Sequence, residues 1–103
     1  MKAITPKGFR DILPETAKRK RELIQKIGDT LQNLGFQPMD TPIVEFAENL
    51  LGKYGDEADK LVYTFEDRGG RKLALRYDLT VPLARFISSN PSVIANGPFS
   101  RFQ

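Results

Sequence analysis

Two stretches of alternating apolar and polar residues, joined by a turn, do most to limit what this chain can fold into. Leu61, Tyr63 and Phe65 alternate with Val62, Thr64 and Glu66, and Leu73, Leu75 and Tyr77 alternate with Lys72, Ala74, Arg76 and Asp78. Alternation with period two places each set on one face of a strand. Between them, Asp67-Arg68-Gly69-Gly70-Arg71 carries turn chemistry. The region therefore predicts an antiparallel hairpin. Leu75 and Tyr77 are expected to point to the core, with Arg76 and Asp78 together on the opposite face.

A long amphipathic helix is expected before the hairpin. Leu23, Ile24, Ile27, Leu31 and Leu34 recur at helical spacing. Pro14 and Glu15 suit its start, with a fixed φ and a negative charge at the positive dipole end. Gly35 suits its stop. Gly28, inside it, costs about 1 kcal/mol relative to Ala or admits another backbone. The thirteen residues ahead form an irregular lead-in around Phe9, Ile12 and Leu13. After the helix, Pro38 and Pro42 forbid both helix and a central ladder position, so this stretch reads as an extended edge segment. Ala47 to Tyr54 predicts a short helix closed by Gly55, and Asp56 to Lys60 an acidic loop. Thr80, Val81 and Pro82 predict an N-cap and first turn. The buried stripe of that helix is Leu83, Ala84, Phe86 and Ile87, and its end lies near Asn90-Pro91. Pro98 to Gln103 reads as a strand with no partner left in the sequence. Helices mixed with a hairpin predict an α+β layer with an open edge, the first part of a larger sheet.

Composition narrows the chemistry. At 103 residues, 40% hydrophobic and 28% charged, the chain supports one domain with one modest core. It contains neither cysteine nor histidine. This excludes disulfides, thiolate and imidazole catalysis, and Cys/His metal sites built from these residues alone. No apolar run is long enough to cross a bilayer, and the N-terminus lacks a secretory h-region. The net charge of +3 permits a nucleic-acid partner without demanding one. Charge is distributed in blocks: eight basic and four acidic side chains in residues 1–30, three and eight in 31–70, five and one in 71–103. Blocks of this kind suit local surface patches better than a basic tail.

The best candidate for chemistry is Arg76-Tyr77-Asp78-Leu79-Thr80. A carboxylate and a hydroxyl two residues apart at a strand end suit an ammonium group, Asp78 supplying charge and Thr80 a neutral acceptor. On spacing alone, a plainer assignment is favoured, in which Asp78 pairs with Arg76 or caps the following helix with Thr80. Lys18-Arg19-Lys20-Arg21 has the charge to touch phosphates, but a solvated helix face is the commoner meaning. Gly69-Gly70, flanked by arginines, lacks the spacing of a phosphate loop and is read as a turn. Asp56, Glu57 and Asp59 do not match a calcium loop and are read as surface. No metal ligands are assigned.

Several segments, in order, resemble the start of histidyl-tRNA synthetases. They are Pro6-Lys7-Gly8-Phe9-Arg10-Asp11-Ile12-Leu13-Pro14, the basic amphipathic helix, Leu34-Gly35-Phe36, Asp40-Thr41-Pro42-Ile43-Val44-Glu45, and Leu73 to Arg85. The resemblance covers about Pro6 to Gln103. It implies a class II fold, an antiparallel sheet flanked by helices, incomplete here, with residues 1–103 the N-terminal portion of the catalytic domain. It implies a cytoplasmic homodimer that activates histidine with ATP and Mg2+ and esterifies tRNA(His). The helix and the strand around Pro42 resemble the dimer-interface motif of the class, so Ile24, Ile27, Leu31 and Pro42 are expected there. Asp78 and Thr80 match the family's ligands for the α-amino group of histidine, with Leu79 lining the same segment, and this reverses the preference drawn from spacing. The segment that binds the ATP phosphates is not among these residues, so the chain by itself is expected to be inactive. The synthetase-like regulatory subunit of ATP phosphoribosyltransferase shares much of this pattern, but more often has Arg-Pro-Asp where this chain has Arg76-Tyr77-Asp78. A non-catalytic dimerisation module is a further alternative.

Overall fold

The computed structural model describes residues 1–53 and 55–103. They form two compact units, one of Met1–Pro38 with Ser100–Gln103, the other of Met39–Phe99.

The first unit is built on helix α1, Pro14–Asn33, which begins at the expected proline. It ends in a paired carbonyl cap: Gly35 N–H donates to Gln32 O at 3.0 Å and Phe36 N–H to Leu31 O at 3.0 Å. Gly35 takes φ +90°, a left-handed conformation that closes this cap and costs an L side chain about 1–2 kcal/mol. Strand β1, Gln37–Pro38, pairs in parallel with β5, Arg101–Phe102. The C-terminal strand thus has a partner after all. The pairing was hidden because Pro38, lacking an N–H, reads as a poor ladder residue, yet a two-residue edge needs only its neighbours' groups. Gln37 N–H donates to Ser100 O at 2.8 Å. Gly28 admits a side chain rather than a backbone: a Cβ built there would stand 3.7 Å from the Phe102 ring. No residue of α1 is fully buried.

In the second unit, β2 (Val44–Phe46), β3 (Thr64–Glu66) and β4 (Lys72–Leu75) form an antiparallel sheet in the order β2-β4-β3. The predicted hairpin is present, with Phe65 opposite Leu73. The extended segment after α1 is divided, its first part pairing in the first unit and its second forming the β2 edge. Helix α2, Ala47–Leu50, follows β2 directly and is shorter than the helix expected to Tyr54, because Leu51 is already extended and Gly52 takes φ +76°; Tyr54 itself lies outside the described residues. The acidic stretch is not a plain loop, because Asp56–Asp59 make one helical turn, α3. Helix α4 spans Thr80–Ser89 and stops where Asn90 Nδ2 donates to Phe86 O at 2.9 Å. Within its expected stripe, Ala84 is exposed and Leu83, Phe86 and Ile87 are half-buried, while Pro82 is fully buried.

The core lies on the opposite face of the sheet from the one the alternation suggests. Glu45, Ala74 and Thr64 share a register row, and Ala74 is 0% exposed. Ala47 and Leu50 cluster with it, and Leu51, Val62 and Val81 pack around them. Phe46, Leu73 and Phe65 form the next row, which faces the other side. Phe46 and Phe65 stay 49% and 44% exposed, and Tyr77 is also exposed. The small Ala74 side chain lets α2 approach closely, so the smaller residues are covered and the aromatic row is left open.

The hairpin turn is held by its own aspartate. Asp67 Oδ1 accepts the N–H groups of Gly69 at 3.0 Å and Arg71 at 2.9 Å, and Oδ2 accepts Arg71 Nε at 2.7 Å. The amides a phosphate would need are therefore occupied. The Arg71 backbone N–H is the largest cause holding the Asp67 carboxyl below its usual value. A lowered folded value means that the contribution to stability is present above the unfolded carboxylate range and fades as pH falls through the folded value. Acid titration followed by NMR should move the Gly69 and Arg71 amide resonances below the range of ordinary aspartates. A transition at or above that range would count against the turn geometry.

Candidate functional site

The segment from Arg76 to Thr80 joins β4 to α4 and contains the candidate site. Strand β4 ends at Leu75, so Asp78 lies in the connection and not on the strand face expected for it. Arg76 turns away from any pairing with Asp78 Oδ1. Its Nη1 donates to Thr41 O at 2.8 Å and to Thr41 Oγ1 at 3.0 Å, with Pro42 O at 3.4 Å. Its backbone N–H donates to Ile43 O at 2.9 Å, extending the ladder one residue beyond the strand. The Tyr77 hydroxyl reaches Leu50 O at 3.4 Å.

Asp78 Oδ1 is buried and has no hydrogen-bond partner among the described residues. Such an atom is unusual, because an unsatisfied buried polar group costs about 1–3 kcal/mol. It lies two residues before α4, whose positive dipole end favours a carboxylate there. Thr80 is the first residue of α4 rather than its N-cap; Leu79 holds the cap position, with no side-chain cap bond. Thr80 is exposed and Leu79 half-buried. The segment thus carries an unpartnered carboxylate oxygen and, two residues on, an exposed hydroxyl at the start of one helix, acceptors with the chemistry to receive a cationic donor.

Sequence reasoning passed over Glu45 and Arg85. Glu45, in β2, has a side chain only 4% exposed, and its Oε1 accepts Arg85 Nε at 2.9 Å. The bond ties α4, and with it the site, to the β2 edge. The signal was weak, since the partners lie 40 positions apart and each reads alone as an ordinary surface charge.

The other candidates lie elsewhere. Arg19 pairs with Glu15 at 2.9 Å on the exposed face of α1. Asp59 accepts the Gly52 N–H through both carboxylate oxygens, at 3.1 and 3.0 Å. No cluster of three potential metal ligands occurs among the described residues. A cleft of about 430 Å³ is lined by Phe46, Ala47, Glu48, Leu51, Arg71 and Lys72, and does not include Asp78 or Thr80. Ile24, Ile27 and Pro42 are exposed and Leu31 is half-buried. No described helix is long and apolar enough to cross a membrane.

The family model for histidyl-tRNA synthetase matches residues 8–98. The chain belongs to the histidyl-tRNA synthetase family. The histidine–tRNA ligase of Aeropyrum pernix is 48% identical over an alignment of 99 residues that covers 94% of this chain and 22% of that protein. The chain thus spans about a fifth of the length of its curated relatives. The crystal structure of the histidyl-tRNA synthetase from Nostoc sp. PCC 7120 superposes with a TM-score of 0.82 at 32% identity, over 99% of this chain and 24% of that one. A Bacillus halodurans structure described as an ATP phosphoribosyltransferase regulatory subunit/histidyl-tRNA synthetase superposes with a TM-score of 0.76 at 29% identity, over 92% of this chain and 25% of that one. The α+β fold, an antiparallel sheet with helices, is that of the histidyl-tRNA synthetases.

Proposed function

We propose that the protein carrying this chain activates histidine with ATP and attaches it to tRNA(His), as a cytoplasmic class II homodimer. Residues 1–103 are the N-terminal portion of its catalytic domain. The observation that carries this reading is the buried, unpartnered Oδ1 of Asp78 in a chain of this family. An α-ammonium group placed there satisfies the orphan oxygen with a charge-assisted bond. Thr80 Oγ1 accepts a second of the three ammonium protons, and Leu79 lines the segment. Ile24, Ile27, Leu31 and Pro42 form part of the dimer interface, a role supported by the exposure of Ile24 and Ile27 in the first unit and of Pro42 in the second. No group of three potential metal ligands occurs among the described residues, and no step through Mg2+ is assigned to them.

Full-length protein is expected to show histidine-dependent ATP–pyrophosphate exchange and charging of tRNA(His), while residues 1–103 alone show no exchange. Exchange by the isolated chain would overturn its assignment as a catalytically incomplete part. Histidine binding without tRNA charging would favour the second reading, a regulatory subunit of ATP phosphoribosyltransferase, a description that the Bacillus halodurans structure also bears.

A further inference from the structure

Four residues between β4 and α4 have to hold a half-buried aspartate whose Oδ1 is buried without a hydrogen-bond partner among the described residues. Ordering that connection costs backbone entropy at each of its residues, and desolvation of Oδ1 favours its return to water. The structure supplies an anchor at each end, and both use a guanidinium. Arg76 Nη1 grips Thr41 through its carbonyl at 2.8 Å and its hydroxyl at 3.0 Å, while Arg76 N–H bonds Ile43 O at 2.9 Å. Arg85 ties α4 to Glu45 at 2.9 Å. Thr41 and Glu45 are both buried and belong to a single short segment. The position of Asp78 is therefore referenced to residues 41–45.

We propose that Arg76 is a positioning residue: by clamping the connection onto Thr41, it holds the Asp78 carboxylate where a ligand ammonium group meets it. This rests on the reading of Asp78 as the ammonium ligand. Arg76 acts through Asp78, so its loss penalises ligands that carry an ammonium group and spares those that do not. A cation is well suited to this anchor, because the groups that Nη1 meets are acceptors and one is the carbonyl of a buried residue. The contacts to Thr41 and Pro42 converge on one nitrogen, so a lysine ammonium group has the chemistry to make them.

The test is calorimetric titration of the full-length protein with histidine and with 3-(imidazol-4-yl)propionate, which is histidine without its amino group. Arg76→Ala is expected to weaken histidine binding about tenfold or more, the loss of one charge-assisted anchor, and to change the amine-free ligand by less than about twofold. Arg76→Lys should restore most of the histidine affinity. In an Asp78→Ala background, Arg76→Ala should add nothing, as expected for two residues acting as one unit. If Arg76→Ala does not fold, Thr41→Val removes the hydroxyl acceptor and keeps the carbonyl, and should weaken histidine about threefold with the same selectivity. Equal losses for both ligands, or additive losses in the double variant, would overturn the positioning role while leaving Asp78 as the ligand. If Asp78→Ala itself leaves histidine binding unchanged, the ammonium site falls and the role of Arg76 falls with it.

Discussion

Replacing Asp78 with alanine is expected to weaken histidine binding to the full-length protein by roughly 3 kcal/mol, a hundredfold or more. The size follows from burial. Asp78 Oδ1 is inaccessible to solvent, so removing the carboxylate leaves a desolvated ammonium group without its counter-charge. A solvated pair would be worth no more than about 1 kcal/mol. The same substitution should leave thermal stability unchanged or raise it. It deletes an unsatisfied buried acceptor, a gain of about 1–3 kcal/mol, against about 0.3–1 kcal/mol of lost interaction with the α4 dipole. Opposite signs for binding and stability distinguish a ligand site from a structural cap, whose removal destabilises the fold. Titration calorimetry and thermal melts on one variant measure both. Unchanged affinity, or a melt lowered by several degrees, would refute the assignment.

Arg85→Ala is expected to destabilise the protein by about 3 kcal/mol, because it leaves the Glu45 carboxylate buried without its counter-charge. The Glu45 side chain is 4% exposed and that of Arg85 31%, so most of the cost falls on Glu45. A loss of this size should lower the melting temperature markedly, a few degrees for each kcal/mol. The pair is not expected to be worth that much in itself. Replacing both residues with methionine should recover most of the loss, because exchanging a buried ion pair for apolar side chains of similar volume is close to neutral. If Arg85→Ala melts like the wild type, the ion pair does not hold α4 to β2. If the double methionine variant is as unstable as Arg85→Ala, the loss comes from packing rather than from an unpaired charge.

Much of the architecture was legible because local signals agreed. Pro14 and Gly35 bracket α1 closely, and alternation around Asp67 to Arg71 marks the hairpin. Each depends on a few neighbouring residues whose φ, charge or period allows few alternatives. The Arg76-to-Thr80 segment was singled out by residue type and spacing, although spacing alone favoured a local ion pair or cap and the ligand role came from the family resemblance. What spacing misjudged was its geometry. β4 stops at Leu75, and Arg76 is drawn to Thr41, 35 positions away. Asp78 Oδ1 has no hydrogen-bond partner among the described residues, so it is not half of the local ion pair that spacing suggested.

The sequence by itself determined the two long helices and the hairpin, that the chain contains neither Cys nor His, and which family the motifs resemble. These are properties of nearest neighbours and of composition. Only the tertiary structure decided which face of the sheet is covered, since alternation defines two faces but does not say which one a helix will reach. Here the small Ala74 side chain lets Ala47 and Leu50 pack against it, leaving Phe46 and Phe65 exposed. Tertiary structure alone also brought Glu45 to Arg85 and Thr41 to Arg76. A charged residue shows its type in the sequence, but the low dielectric and the partner that give its charge a use arise only when distant segments meet.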